Sequence, residues 1–318
     1  MIALDSLRIA ASALFLPHGP EEPPFAWIDL DAEAGRGAEA KPILPPRPII
    51  GVGDRTHPLA RWLDAVVEPP ITLDRLARSI LANPIAAGIC VQLLRSIDRQ
   101  SVADALLAES LGYGVLQAGA EHRRWLAGRD PPPAAAPGEL RVERGGSELV
   151  LTLARPEAGN AIDRTLRDAL RETFDAAALD SSLARIVLRG EGKAFCLGGD
   201  LAEFGTSTDP AKAHAIRMRT LPAHGIARVA HLLWVRVDGA CVGAGVEMAA
   251  FAVHVAATPR AWFQLPELAM GLIPGAGGCV SLPRRIGRQR AALLMLSGRR
   301  IGARTALEWG LIDAIERD

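Results

Sequence analysis

Apolar residues recur at helical spacing between residues 73 and 82, at positions 73, 76, 77, 80 and 81. This spacing predicts a helix with one buried face. The pattern stops at Asn83-Pro84, where Pro84 suits the first turn of a second helix and Asn83 its N-cap. Ser101 and Asp104 form an approximate capping box ahead of another apolar run. Residues 72–130 are therefore predicted to form three or four packed helices.

Farther along the chain, short apolar runs alternate with helical patterns. The runs at 148–153, 185–188 and 234–237 are rich in β-branched and aliphatic residues and predict strands. Between the first two, residues 162–179 predict an amphipathic helix with Leu166, Leu170 and Phe174 on one face. Strands alternating with helices predict an α/β core.

Prolines divide the chain into segments. Residues 17–48 hold eight prolines, which excludes a long helix and predicts loop with one short strand at 25–30. A second group at Pro131, Pro132, Pro133 and Pro137, with alanines between, predicts a linker over 131–137.

Composition then narrows the class of protein. The chain has 318 residues with 36 basic and 36 acidic side chains, so it lacks the basic excess of a nucleic-acid-binding protein. Its four cysteines are widely spaced and its seven histidines show no metal-ligand spacing. We found no long uncharged apolar run and no signal-peptide pattern, so we expect a cytoplasmic protein without a membrane partner or a bound metal.

Three glycine-rich segments carry the candidate chemistry. Adjacent glycines let a backbone approach a ligand closely, and the N-terminus of a helix offers free N–H donors to a developing negative charge. The segments are 194–201 (AFCLGGDL), 238–247 (DGACVGAGVE) and 263–278 (FQLPELAMGLIPGAGG).

In this order, the three segments resemble the crotonase superfamily of enoyl-CoA hydratases and isomerases. Residues 155–161 resemble the opening strand-turn-helix of that family, and residues 298–315 resemble its later lid region. The resemblance covers residues 140–318. It implies a ββα superhelix of the crotonase type and an acyl-CoA substrate, with no further cofactor.

The resemblance also implies roles for individual residues. The backbone N–H groups of Leu197 and Ala244 correspond to the family's oxyanion hole, which stabilises an enolate of the thioester. Glu267 corresponds to the residue that exchanges the Cα proton, and Glu247 to the residue that holds water. The backbone of Gly275 resembles a further contact to that water. Two carboxyl groups at one site also raise the pKa of one of them.

Further positions match the family's CoA channel. Lys193, at the expected mouth of the channel, would meet a phosphate. The resemblance also implies a homo-oligomer, a trimer or a hexamer. The residues implied at the channel are Asn160, Ala161, Lys193, Phe195, Asp200 and Leu201.

The order of segments departs from the family, whose chains continue past the lid into several helices. Here 62–67 (WLDAVV) resembles 309–315 (WGLIDAI), and the helices follow it. We therefore expect residues 61–130 to supply the helical segment and 138–318 the catalytic core, with 1–60 unassigned. Either the gene is circularly permuted, or two modules fused and the first decayed; the overlap favours fusion.

Other interpretations remain open at this point. A double-bond isomerase would need Glu267 alone, and a catalytically silent CoA-binding subunit would need neither acid. Glu247 has an alternative structural role as a cap of its helix. Cys196 is expected to be a buried filler, and the arginines at 284, 285, 288 and 290 are expected to form a solvated face.

Overall fold

The computed structural model describes residues 3–16, 19, 22–33, 42–130, 133 and 135–316. Within them the strands, in chain order, are β1 (Ala26–Asp29), β2 (Ile49–Val52), β3 (Ala65–Val66), β4 (Glu139–Gly145), β5 (Glu148–Ala154), β6 (Arg185–Gly190), β7 (Ala194–Cys196), β8 (Leu233–Val237), β9 (Ala240–Val242), β10 (His254–Ala257), β11 (Trp262–Gln264), β12 (Ile301–Gly302) and β13 (Ala314–Ile315). The helices are α1 (Leu73–Ala82), α2 (Pro84–Ser96), α3 (Val102–Gln117), α4 (Ala120–Ala127), α5 (Arg164–Ala177), α6 (Pro210–Thr220), α7 (Ala223–Val229), α8 (Ala244–Ala249), α9 (Gly278–Ile286), α10 (Arg288–Ser297) and α11 (Ala303–Glu308).

Two of the sheets carry the second half of the chain. One has the order β13-β10-β8-β6-β5-β4 and the other the order β12-β11-β9-β7. Neighbouring strands run parallel in both, except for the β4–β5 and β11–β12 pairs. Along β8, Leu233, Val235 and Val237 are buried while Trp234 and Arg236 are exposed, as expected of a strand with one face on the core. The predicted α/β class is confirmed.

Helices α1 to α4 form the predicted helical segment, and α1 to α3 share one hydrophobic core with the second half of the chain. Leu76 and Ile80 of α1 are fully buried in it, as is Leu294 of α10. Cys90 of α2 contacts Met295 of α10, with 3.8 Å between the sulfur atoms. Since apolar burial is the main driving force for this packing, the two segments stabilise each other.

The helix caps in this segment only partly follow the sequence. Ser101 is the predicted cap, its Oγ accepting from the N–H of Asp104 at 3.1 Å. Asn83 occupies the predicted N-cap position, but its side chain accepts from Arg124 instead of capping α2. The first N–H groups of α2 are satisfied by Glu121, 36 residues away, whose carboxylate accepts from Ile85 at 2.9 Å.

The predicted solvated arginine face is also wrong, since these side chains bind carbonyl and carboxylate groups. Arg288 donates to the Leu63 carbonyl at 3.1 Å. Arg290 pairs with Glu68 at 2.8 Å. The α9–α10 region therefore holds the chain around β3 in place, which explains why charged side chains cluster there.

A small third sheet, β1-β2-β3, is parallel and contains a pair of hydrogen bonds that also occurs in the six-stranded sheet. Ile49 donates its N–H to Asp64 Oδ2 at 2.8 Å, and the Asp64 N–H donates to the Ile49 carbonyl at 3.0 Å. Val255 and Asp313 make the same pair of bonds at 2.7 and 2.8 Å. In both places the aspartate comes directly before the edge strand, β3 or β13.

The proline-rich predictions fall partly outside the described residues. In the predicted linker, Pro131, Pro132 and Ala134 lie outside them, and so do residues 17, 18, 20, 21 and 34–41 of the first segment. The predicted strand near 25–30 is present as β1.

Candidate active site

One cavity of about 690 Å³ is lined by all five predicted catalytic residues. Its walls come from the chain after β7, the β9–α8 turn, the turn that begins at Glu267, and α6. Tyr113, Gln117 and His122 of the helical segment complete it. The helical segment therefore closes a site that is otherwise built by residues from the second half of the chain.

Glu247 lies in α8 and is 2% exposed. Its Oε2 accepts from the N–H groups of Ala276 and Gly278, at 2.7 Å each. This close approach requires glycine at 278, where a Cβ would stand 2.6 Å from Glu247 Cγ. Glu247 is thus held by the glycine-rich turn before α9 and does not cap its own helix.

Glu267 begins the short 3-10 turn after β11. Its Oε2 is buried and, within the described part of the chain, has no hydrogen-bond partner. The other oxygen faces Gly243, where a Cβ would stand 2.8 Å from Glu267 Oε1. Gly243 also has φ 49°, which favours glycine. Glu267 Oε2 is therefore a carboxylate oxygen that the described residues leave without a bonded partner.

A third carboxyl group, Glu109 of α3, was missed by the sequence reasoning. Its Oε1 accepts from the Gly277 N–H at 2.7 Å and its Oε2 from the Cys279 N–H at 2.8 Å. One signal points to it: Glu109 lies four positions after Ala105, on the helical face that is buried. Helical periodicity alone places an acid on the apolar face of α3.

Burial sets the ionisation of these three groups. It raises the pKa of Glu247 to about 7, although the N–H groups of Ala276 and Gly278 oppose the shift. Burial, and then the charge of Glu247, raises the pKa of both Glu267 and Glu109. Carboxyl groups of this kind can remain protonated near neutral pH and donate a proton.

The two predicted oxyanion donors differ in their bonding. The N–H of Ala244, the first residue of α8, has no backbone acceptor among the described residues. The N–H of Leu197 is already donated to the Gly159 carbonyl at 3.0 Å, because the left-handed turn at Gly159 brings that oxygen close. This geometry does not present the Leu197 N–H to the cavity, contrary to the prediction.

The residues predicted at the CoA channel separate into two groups. Asp200 and Leu201 line the cavity, and Asp200 pairs with Arg155 at 2.7 Å. The others do not line it. Phe195 is fully buried, and Asn160 is buried with its amide donating to the Glu191 and Ala194 carbonyls at 2.9 and 2.8 Å.

Ala161 and Lys193 also lie outside the lining of the cavity. Lys193 is exposed, as a residue at the mouth of a channel would be. Gly275 does line the cavity, packed against the ring of Tyr113. Its predicted contact to water stays a prediction.

The described residues contain neither a metal-ligand cluster nor a single helix that could span a membrane. Among the described residues, no group of three or more His, Cys, Asp or Glu side chains is placed to hold a metal ion. No single helix there is long and apolar enough to cross a membrane; α1 and α2 together pass that test by length and composition but are bent by 109°.

Comparison with known proteins identifies the family. The family model described as enoyl-CoA hydratase/isomerase matches residues 143–317. The chain belongs to this family. The match begins after the helical segment, so family membership rests on the part of the chain that carries Glu247 and Glu267. The predicted resemblance is thereby confirmed.

Curated relatives have several acyl-CoA activities in their names. The chain is 36% identical to the 2,3-dehydroadipyl-CoA hydratase of Escherichia coli K12, over 56% of this chain and 69% of the relative. It is 35% identical to the mevalonyl-coenzyme A hydratase SIDH of Beauveria bassiana, over 52% and 62%. It is 34% identical to the 1,2-epoxyphenylacetyl-CoA isomerase of E. coli K12, over 54% and 66%. The chain thus spans about two thirds of these relatives.

Solved structures agree with the fold. An enoyl-CoA hydratase/isomerase from Mycobacterium abscessus is 34% identical and superposes with a TM-score of 0.53, over 57% of this chain and 71% of that one. An enoyl-CoA hydratase from Bacillus anthracis is 27% identical with a TM-score of 0.52, over 56% and 70%. These proteins share the crotonase fold with just over half of this chain.

Proposed function

We propose that this protein adds water across the double bond of a 2-enoyl-CoA thioester. The observation that carries the proposal is the pair of carboxyl groups at one cavity, Glu247 and Glu267. Hydration needs a base for the attacking water and an acid for Cα. Because burial raises the pKa of both groups, one can act as the acid while the other is ionised.

The bonding of the two carboxyl groups suggests their division of labour. Glu247 is fixed by two N–H groups through Oε2, which positions it to hold the water. Glu267 Oε2 has no bonded partner among the described residues, so it is the oxygen available to exchange a proton with Cα. These are the roles that the family resemblance implies.

The thioester oxygen needs donors as its charge develops. Ala244 supplies one N–H at the start of α8, where the helix dipole also favours negative charge. Because the Leu197 N–H is bound to the Gly159 carbonyl, we assign this role to Ala244 alone of the two predicted donors.

A second candidate function is double-bond isomerisation by Glu267 alone. The observation that favours it is that Glu247 Oε2 is anchored by a backbone N–H, whereas Glu267 Oε2 has no bonded partner among the described residues. An isomerase moves a proton from one carbon to another and needs no held water. The relatives include proteins named as hydratases and one named as an isomerase, so their names do not choose between the two.

The experiment is a hydration assay that follows the loss of enoyl-thioester absorbance with wild type, Glu267→Gln and Glu247→Gln. For a hydratase, each substitution lowers kcat by about 10²–10⁴-fold, because each removes an acid/base group. For an isomerase, only Glu267→Gln abolishes turnover of a 3-enoyl-CoA. Glu308→Gln, at an exposed position on α11, is the matched control. Wild-type activity that survives both active-site substitutions would refute both functions.

A further inference from the structure

Arg217 stands in the wall of the catalytic cavity although nothing in the proposed hydration uses it. It lies on α6, and neighbours Ala213 and Ile216 from the same helix line the cavity with it. Its Cζ lies 4.6 Å from the centroid of the Tyr113 ring. The Tyr113 ring in turn packs on Gly275, one residue before the turn that holds Glu247. Arg217 is therefore connected to the catalytic end of the cavity through a single aromatic ring.

All the hydrogen-bond acceptors that Arg217 has among the described residues are neutral. Its Nε donates to Ser110 Oγ at 3.0 Å, its Nη1 to Gln117 Oε1 at 3.1 Å and its Nη2 to the Ser110 carbonyl at 3.1 Å. These bonds use three of the five N–H groups of a guanidinium. The terminal nitrogens each retain one N–H, and these form the fork that suits a carboxylate.

Two other arginines with little exposed surface have a carboxylate partner. Arg155 binds Asp200 at 2.7 Å and Arg290 binds Glu68 at 2.8 Å. For Arg217, no carboxylate among the described residues lies within 4 Å. Glu109 acts on its charge only from a distance, because both Glu109 oxygens are bound to backbone N–H groups. Since burying a cation without a counter-ion is costly, the site is built for an anion.

We propose that Arg217 binds a carboxylate at the far end of the acyl group, so that the preferred substrate is the CoA thioester of an unsaturated dicarboxylic acid. This inference rests on the proposed function, because it assumes that an acyl-CoA occupies the cavity. Ser110 and Gln117 orient the guanidinium for this contact. Tyr113 lies beside the path of the acyl chain between the carboxylate and the reacting carbons.

Two other arginines, Arg164 and Arg167, line the same cavity from the start of α5 and are the cations available to the CoA phosphates. Arg217 lies on α6, which packs mainly against α3. Binding of free CoA should therefore be independent of Arg217, which separates an acyl carboxylate from a phosphate as its ligand.

The kinetic test compares 2-enoyl-CoA substrates of four to eight carbons with and without a terminal carboxylate. We expect wild type to show a kcat/KM at least tenfold higher for the best dicarboxylic substrate than for the neutral one of equal length. Arg217→Met should remove that preference, because kcat/KM falls for the dicarboxylic substrate and is unchanged for the neutral one. Arg219→Met, an exposed position on the same helix, should retain it. A wild type that prefers neutral chains, or an Arg217→Met enzyme equally slow on both, would overturn the proposal.

Binding of saturated analogues separates this inference from the proposed function. Adipyl-CoA, hexanoyl-CoA and free CoA are titrated calorimetrically into wild type, Arg217→Met and Arg217→Lys. We expect adipyl-CoA to bind wild type at least tenfold more tightly than hexanoyl-CoA, a difference lost in Arg217→Met and partly kept in Arg217→Lys. Free CoA should bind all three alike, which also shows that the variants fold. Selective adipyl-CoA binding without turnover would refute hydration and keep the subsite; equal binding of the two acyl-CoAs would refute the subsite.

Discussion

Glu109 and Glu247 divide four consecutive backbone N–H groups of one turn between them. Glu247 accepts from Ala276 and Gly278, and Glu109 accepts from Gly277 and Cys279. The two acids approach the turn from opposite sides, one from α8 and one from α3. A residue of the helical segment therefore fixes the turn that positions the proposed water-holding acid.

Glu109→Gln should change the pH dependence of catalysis as well as the rate. Where Glu109 is ionised, its charge raises the pKa of Glu267, so its removal lowers that pKa and shifts the pH–rate profile to lower pH. Loss of one bond to the turn should also cost about 1–3 kcal/mol of stability. The measurement is kcat/KM from pH 5 to 9 for wild type and the variant. A slower enzyme with an unmoved profile would show that Glu109 acts only through folding.

Ala244→Pro should remove one oxyanion donor while keeping the helix. Proline is tolerated at the first position of a helix, where its missing N–H has no intrahelical acceptor. We expect kcat to fall about 10²–10³-fold. Ala120→Pro is the matched control, because Ala120 is exposed, follows a glycine and begins α4. Equal rates for the two variants would exclude the Ala244 N–H as a donor to the transition state.

Gly275→Ala should create a steric clash between the helical segment and the glycine-rich turn before α9. A Cβ at this position would stand 2.3 Å from Tyr113 Cδ2. We expect a loss of about 1–3 kcal/mol in the free energy of unfolding, together with reduced activity. Gly302→Ala, where a Cβ meets nothing within 4 Å, provides the control. Tyr113→Ala should relieve most of the loss in a double-mutant cycle; additive losses would refute the contact.

Stability should fall as the pH rises through the ionisation of Glu247. Its folded pKa, about 7, lies above the value of an unfolded glutamate, so the folded state binds more protons between the two values. The loss of unfolding free energy that Glu247 causes is therefore absent below about pH 4.3 and grows as the pH rises to about 7. The difference between the free energies of unfolding obtained by urea denaturation at pH 5 and at pH 8 measures this loss. Glu247→Gln should reduce the difference, and an unchanged difference would contradict the assigned pKa.

The repeated aspartate arrangement bears on how the chain arose. Asp64 and Asp313 make the same two bonds to the neighbouring strand, at Ile49 and Val255, and each precedes an edge strand. A circularly permuted chain would keep one copy of this element, whereas a fusion keeps two. The duplication favours the fusion interpretation, in which the helical segment, residues 61–130, derives from a first module.

The sequence by itself determined the local elements and the segments that carry chemistry. Helical periodicity predicted α1 with its observed bounds, and the family resemblance of the glycine-rich segments pointed to Glu247 and Glu267. These features depend on neighbours along the chain, through spacing, caps and glycine conformations. They can be predicted because the interactions that fix them span only a few residues.

Only the tertiary structure decided which distant groups meet. Glu109 reaches its turn across 168 residues, and Arg217 reaches Ser110 across 107. The same packing gives α2 its cap from Glu121 and occupies the Leu197 N–H with a carbonyl. Buried polar groups take whichever partner the folded core brings within bonding distance, because leaving them without one is costly. That choice is made in three dimensions, and no pattern of neighbouring residues specifies it.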